Sequence, residues 1–64
     1  MGKMYRFKAE YRDSMNCMYV DRFTVSGNLE SHYVWERATE YALREEEHRS
    51  VTLVSLKMYD VEEV

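Results

Sequence analysis

Apolar and polar residues alternate cleanly at the start of the chain. Tyr5, Phe7, Ala9 and Tyr11 fall on one side of residues 4–12, with Arg6, Lys8, Glu10 and Arg12 on the other. A period of two marks a half-buried strand with one wet face. Asp13-Ser14-Met15-Asn16 reads as a turn, since Asp and Asn bond their own backbone and tolerate tight bends. Residues 17–26, rich in Tyr, Val, Phe and Thr, predict a second strand. Two phases are open to it. In a regular strand Phe23 and Val25 share a face with Tyr19 and Asp21, while Met18 and Val20 point the other way. A bulge near Asp21-Arg22 would instead bring Met18, Val20, Phe23 and Val25 together on the inside.

Ser26-Gly27-Asn28 interrupts this strand, and Asn28 is the expected N-cap of a helix starting at Leu29. Val34, Trp35, Ala38, Tyr41 and Ala42 then share one helical face. Ala38 and Ala42 let the helix sit close to a sheet, with Trp35 and Tyr41 as flanking wedges. The helix is expected to run to about Glu47, with Glu40 and Arg44 as an i,i+4 ion pair. Glu45, Glu46 and Glu47 oppose the helix dipole, so the last turn should fray unless Arg49 compensates. Residues 50–59 predict the third strand, with Thr52, Val54, Leu56 and Met58 on one face and Val51, Leu53, Ser55, Lys57 and Tyr59 on the other. The acidic tail, Asp60 to Val64, is expected to be loose.

The element order is therefore β-β-α-β. The first two strands form an antiparallel hairpin, and a right-handed crossover places the third parallel to the second. The simplest sheet has the order 2-1-3, with one helix on one face. This is a two-layer α+β fold. With no Pro, two Gly and no repeat, residues 1–64 read as a single small domain without a linker.

Composition narrows the function more than the fold. A chain of 64 residues buries only ~60% of its unfolded surface, which leaves a thin core and little room for a deep cleft. The single cysteine, Cys17, cannot form an internal disulfide, so a reducing, cytoplasmic setting is expected. No apolar run approaches the ~20 residues of a membrane helix, and the first residues show no apolar core of a signal peptide. The net charge of −3 divides into +2 over residues 1–25 and −5 over residues 26–64. That argues against a uniformly basic DNA binder, but not against a local basic patch.

Few residues offer chemistry. Cys17 has no histidine near it in sequence to lower its pKa, and it reads as a small, semi-buried apolar residue at the start of a strand. His32 with Glu36, and Glu45 with His48, have ligand-like spacing. They lie at opposite ends of one helix and cannot converge on a metal. Glu36 and Glu40 would need burial to act as an acid–base pair. Phosphate-binding glycine loops, nucleophile elbows and Cys-x-x-Cys are missing from the sequence. A non-enzymatic protein without metal or cofactor is expected.

Two surfaces remain. Arg6, Lys8, Arg12, Lys57 and Tyr59 would share the uncovered sheet face, joined by Arg22 if its strand is regular and interrupted by Glu10. Cations with a flat ring suit single-stranded nucleic acid. The helix back offers Leu29, Tyr33 and Leu43 among Glu36, Glu40 and Glu47. Of these, Tyr33, Glu36, Glu40, Leu43 and Glu47 are the residues expected to meet a protein partner with a basic surface. Val51, Leu53 and Tyr59 suggest a homodimer contact on the strand face that should be wet.

The succession Phe23-Thr24-Val25, Gly27-Asn28, Val34-Trp35-Glu36-Arg37-Ala38, Tyr41-Ala42 and Val54-Ser55-Leu56 resembles that of short accessory proteins of bacteriophages and mobile elements. Inhibitors of bacterial immunity of the anti-CRISPR sort belong to that loose group. The resemblance covers nearly the whole chain and carries no shared site motif. It implies a protein that binds and blocks a host or defence factor. The leading expectation is thus occlusion of a protein surface by the acidic helix face, with nucleic-acid binding on the sheet face as the alternative.

Overall fold

Phe7, Ala9 and Tyr11 are fully buried, and Tyr5 nearly so. They form the inner side of the central strand in the computed structural model, which describes residues 2–27 and 30–63, and of Ser31 the backbone only. Strand β1 (Lys3–Arg12) is flanked by β2 (Met18–Gly27) and β3 (Thr52–Glu63), with helix α1 (Ser31–Arg49) between them in the chain. The sheet order is β2-β1-β3, and both pairings are antiparallel. This is the expected two-layer α+β fold, drawn out to 43 × 17 × 14 Å.

The hairpin closes on Asp13. Its carboxylate accepts the Met15 and Cys17 N–H groups, each at 2.9 Å, and Asn16 takes the left-handed conformation at φ 66°. The register from Lys3↔Gly27 to Arg12↔Met18 is unbroken. There is no bulge at Asp21-Arg22, and the regular phase holds. Tyr19, Asp21, Phe23 and Val25 face the helix, whereas Met18 and Val20 are exposed. Asp21 is tolerated inside because the Tyr41 hydroxyl donates to it at 3.3 Å.

Against this sheet α1 lays Val34, Ala38 and Ala42, all fully buried. Deep burial of two alanines brings helix and sheet together, and Tyr41 wedges in half-buried as expected, whereas Trp35 lies at the edge of the layer and stays 37% exposed. Trp35 meets Phe7 edge-on with ring centres 5.0 Å apart, Phe7 stacks on Phe23 at 5.5 Å, and Tyr41 leans on Phe23 at 4.2 Å. The expected cap Asn28 and first helical residue Leu29 lie outside the described residues. Glu30, in extended backbone, precedes the helix without a side-chain cap bond. The helix continues two residues past Glu47. Arg49 pairs with Glu45 at 2.8 Å, and left-handed Ser50 closes the end by N–H bonds from Ser50 to Glu47 and from Val51 to Glu46. This is the Schellman arrangement, and it satisfies carbonyls that would otherwise fray. The ion pair forms at Glu45–Arg49, and Glu40 and Arg44 make none among the described residues.

β3 departs from expectation in phase and in length. Its register against β1 shifts twice, so Val54 and Tyr59 each become an extra, exposed residue. A single inserted residue flips the side chains that follow to the other face. Leu53, Leu56, Met58 and Val61 therefore lie opposite Tyr11, Ala9, Phe7 and Tyr5, on the helix side. Val54 and Thr52 are not inward as expected, and Leu53 is not outward. Of the tail expected to be loose, Val64 lies outside the described residues, and Asp60 to Glu63 instead pairs with β1 up to Lys3↔Glu63. Cations of β1 hold it there, through Arg6 with Asp60 and Glu62 and Lys3 with Glu63.

Candidate binding surfaces

The acidic face is built by α1. With Val34, Ala38 and Ala42 against the sheet, the helical period turns Tyr33, Glu36, Glu40, Leu43 and Glu47 outward, and all five are exposed. Tyr33 and Leu43 keep 50% and 48% of their surface in water, which leaves them accessible to a partner. Glu36, Glu40 and Glu47 have no cation within 4 Å among the described residues. Beside this stripe runs a shallow groove of ≈ 540 Å³ lined by Tyr33, Glu36, Arg37, Glu40, Tyr41 and Arg44. Three of the expected contact residues thus share one concavity. Arg37 and Arg44 were not anticipated there, although their seven-residue spacing puts them on one flank. The face is therefore acidic along its crest and mixed in charge along its groove.

The floor of that groove is fixed from beneath. Tyr41 bridges α1 to Asp21, and its hydroxyl pKa is raised by burial first and by the nearby Asp21 and Glu45 charges next. Tyr11 stacks on Tyr19 at 5.4 Å and donates its hydroxyl to the Ala42 carbonyl at 3.5 Å. Burial, with Asp21 next in size, pushes its pKa up to about 12. Arg49 covers the outer side of Tyr19 at 5.7 Å. These contacts hold the C-terminal half of the helix to the sheet.

On the opposite side of the slab, the even-numbered residues of β1 and β2 face away from α1. Lys8 lies opposite Arg22 on one neighbour and Lys57 on the other. Arg22 joins this face because β2 is regular. Arg6 is occupied: Nη2 stands 2.6 Å from Glu62 Oε2, and Nε 3.6 Å from Asp60. Glu62, by hydrogen bond and charge, holds the guanidinium above its ordinary pKa, with smaller help from Asp60 and Tyr59. Glu10 interrupts the cations as expected, and it accepts the Ser55 hydroxyl at 3.0 Å. Arg12 is exposed at the hairpin end. Val51, Leu53 and Tyr59 do not form one contact surface, because the shifts in β3 turn Leu53 inward and leave Tyr59 exposed on a bulge.

Cys17 is not semi-buried at a strand start as expected: it is exposed in the hairpin turn, one residue before β2, with its N–H donated to Asp13. Among the described residues, no group of three His, Cys, Asp or Glu side chains converges as metal ligands. No described helix is long and apolar enough to cross a membrane. Comparison of the chain with protein-family models, with curated proteins and with solved structures finds no match.

Proposed function

We propose that the protein is a non-enzymatic binding module that covers a basic surface of a protein partner with the outward face of α1. One observation carries the reading: unpaired carboxylates and half-exposed apolar side chains share a straight stripe bordered by a groove. Tyr33, Glu36, Glu40, Leu43 and Glu47 recur every three or four residues, which keeps them in line along a helix. Tyr33 and Leu43 supply apolar area, and Glu36, Glu40 and Glu47 supply carboxylates with no cation within 4 Å among the described residues. A partner bringing Lys or Arg to this stripe pairs those carboxylates without first breaking ion pairs within the protein. Arg37 and Arg44 in the groove disfavour a uniformly basic approach and orient the partner along one direction.

Nothing in this mode needs a reaction. Bound along α1, the module excludes whatever else uses the covered surface, and the resemblance to phage accessory proteins makes inhibition of a host or defence protein its biological form. The test is affinity capture from bacterial lysate, read by mass spectrometry, with three baits: the native protein, Glu36→Lys/Glu40→Lys, and Leu43→Ser. A partner retained at low salt and lost from both variants, while their circular dichroism stays native, supports the reading. Equal capture by all three baits rejects it.

A further inference from the structure

We propose that the open sheet face binds the phosphate backbone of single-stranded nucleic acid along a row formed by Arg22, Lys8 and Lys57. The row crosses all three strands in register, with Lys8 directly opposite Arg22 on one side and Lys57 on the other. Neighbouring strands lie about 4.8 Å apart, so the three cations span roughly 10 Å. None of them has an ion partner within 4 Å among the described residues. Like charges directly opposite each other weaken a sheet, so the fold gains nothing from this placement. A polyanion laid across the strands removes the repulsion and meets three cations at once.

One further feature favours a nucleic acid over an acidic peptide. Tyr59 stands out from the β3 bulge, 52% exposed, next in the chain to Asp60, which pairs with Arg6. It offers a flat ring on which a base can stack. Arg6 takes no part while Asp60 and Glu62 hold it. The shift at Tyr59 is what turns those two acids onto this face, so the C-terminal end of β3 limits the size of the cationic field. The surface is separate from the outward face of α1, and the inference does not depend on a protein partner there.

The experiment is fluorescence anisotropy of the full chain with labelled single-stranded oligothymidine, repeated with unlabelled poly-glutamate as competitor. Three phosphate contacts predict that log K falls against log salt with a slope of about −2. Replacing Lys8, Arg22 and Lys57 together by Gln should weaken binding at least about tenfold at low salt and flatten the slope towards zero. The same variant should melt no lower than the native protein, since repulsion has been removed, which guards against loss by unfolding. Tyr59→Leu should weaken binding and leave the slope unchanged. Asp60→Asn/Glu62→Gln, by releasing Arg6, should tighten binding and steepen the slope. Absence of binding at low salt, binding indifferent to the triple variant, or equal displacement by poly-glutamate each overturns the proposal.

Discussion

Arg6 on β1 grips Glu62 on β3 at 2.6 Å, across 56 positions of sequence, with Asp60 as a second partner at 3.6 Å. The contact decides the state of the C-terminus. Residues 60–63 carry three acids and one apolar side chain, Val61, which is still 46% exposed. Hydrophobic burial alone gives such a segment little reason to extend a strand. Lys3 and Arg6 supply the reason, because each meets an acid of the segment across the sheet.

It follows that charge adds to the backbone ladder in holding the end of β3. Exposed pairs are screened over about 8 Å at physiological ionic strength and about 3 Å at 1 M salt. Hydrogen exchange of the amides of residues 60–63 that face β1 should therefore quicken as salt rises, and those of residues 53–58 should not. Glu62→Gln should give the same local quickening at low salt with a nearly unchanged melting temperature. Equal salt response along the whole of β3 would show that packing, not charge, anchors its end.

The same contact explains how far the sequence could be read. β1 and α1 were legible because each keeps one period throughout, and the buried set Tyr5, Phe7, Ala9, Tyr11, Val34, Ala38 and Ala42 follows from it. β3 was not, because two bulges reset its period within one strand. Its inward residues, Leu53, Leu56, Met58 and Val61, step by three, two and three. Only the demand that each apolar residue face β1's buried side reveals that spacing as a strand. The basic row was half legible: Lys8 and Lys57 stood out, while Arg22 depended on the phase of β2 and the occupation of Arg6 on pairing of the tail. The exposure of Tyr33, Glu36, Glu40, Leu43 and Glu47 was legible, since a regular helix carries its outer residues wherever its inner ones go.

Ser50 gives a stability prediction at the end of that helix. It holds φ 55° and ψ 48° so that the chain can turn into β3. A left-handed backbone costs a non-glycine residue about 1–2 kcal/mol, and glycine escapes it at an entropic cost of about 0.5–1 kcal/mol. The Ser50 side chain is exposed and makes no hydrogen bond among the described residues that the substitution would lose. Ser50→Gly should accordingly stabilise the protein by about 0.5–1 kcal/mol, and raise the melting temperature by about 3–6 °C in a domain of this size. Ser50→Val should lower it, because a β-branched residue suits this conformation least. If the two variants melt together, the left-handed turn at Ser50 is not retained in solution.

Alkaline pH should loosen the attachment of α1 through Tyr11. Its ring is fully buried between β1 and the helix, and burial raises the hydroxyl pKa from 10.0 to about 12. The folded protein thus holds this proton more tightly than the unfolded chain does. Below pH 10 both states are protonated and Tyr11 contributes no pH dependence. Between pH 10 and 12 the unfolded chain ionises first, so stability falls as pH rises, by at most about 2–3 kcal/mol for a shift of this size. Tyr41, raised in the same direction by burial and then by Asp21, adds to the loss. Tyr11→Phe removes only a long hydrogen bond to Ala42, at 3.5 Å. Its cost near neutral pH should therefore be about 1 kcal/mol or less. Above pH 10 the variant should lose stability more slowly than the native protein, and with Tyr41→Phe added the alkaline decline should largely vanish. Chemical denaturation followed by circular dichroism across this range measures the slopes directly. Identical slopes in native protein and double variant would mean that neither hydroxyl is shielded as the packing requires.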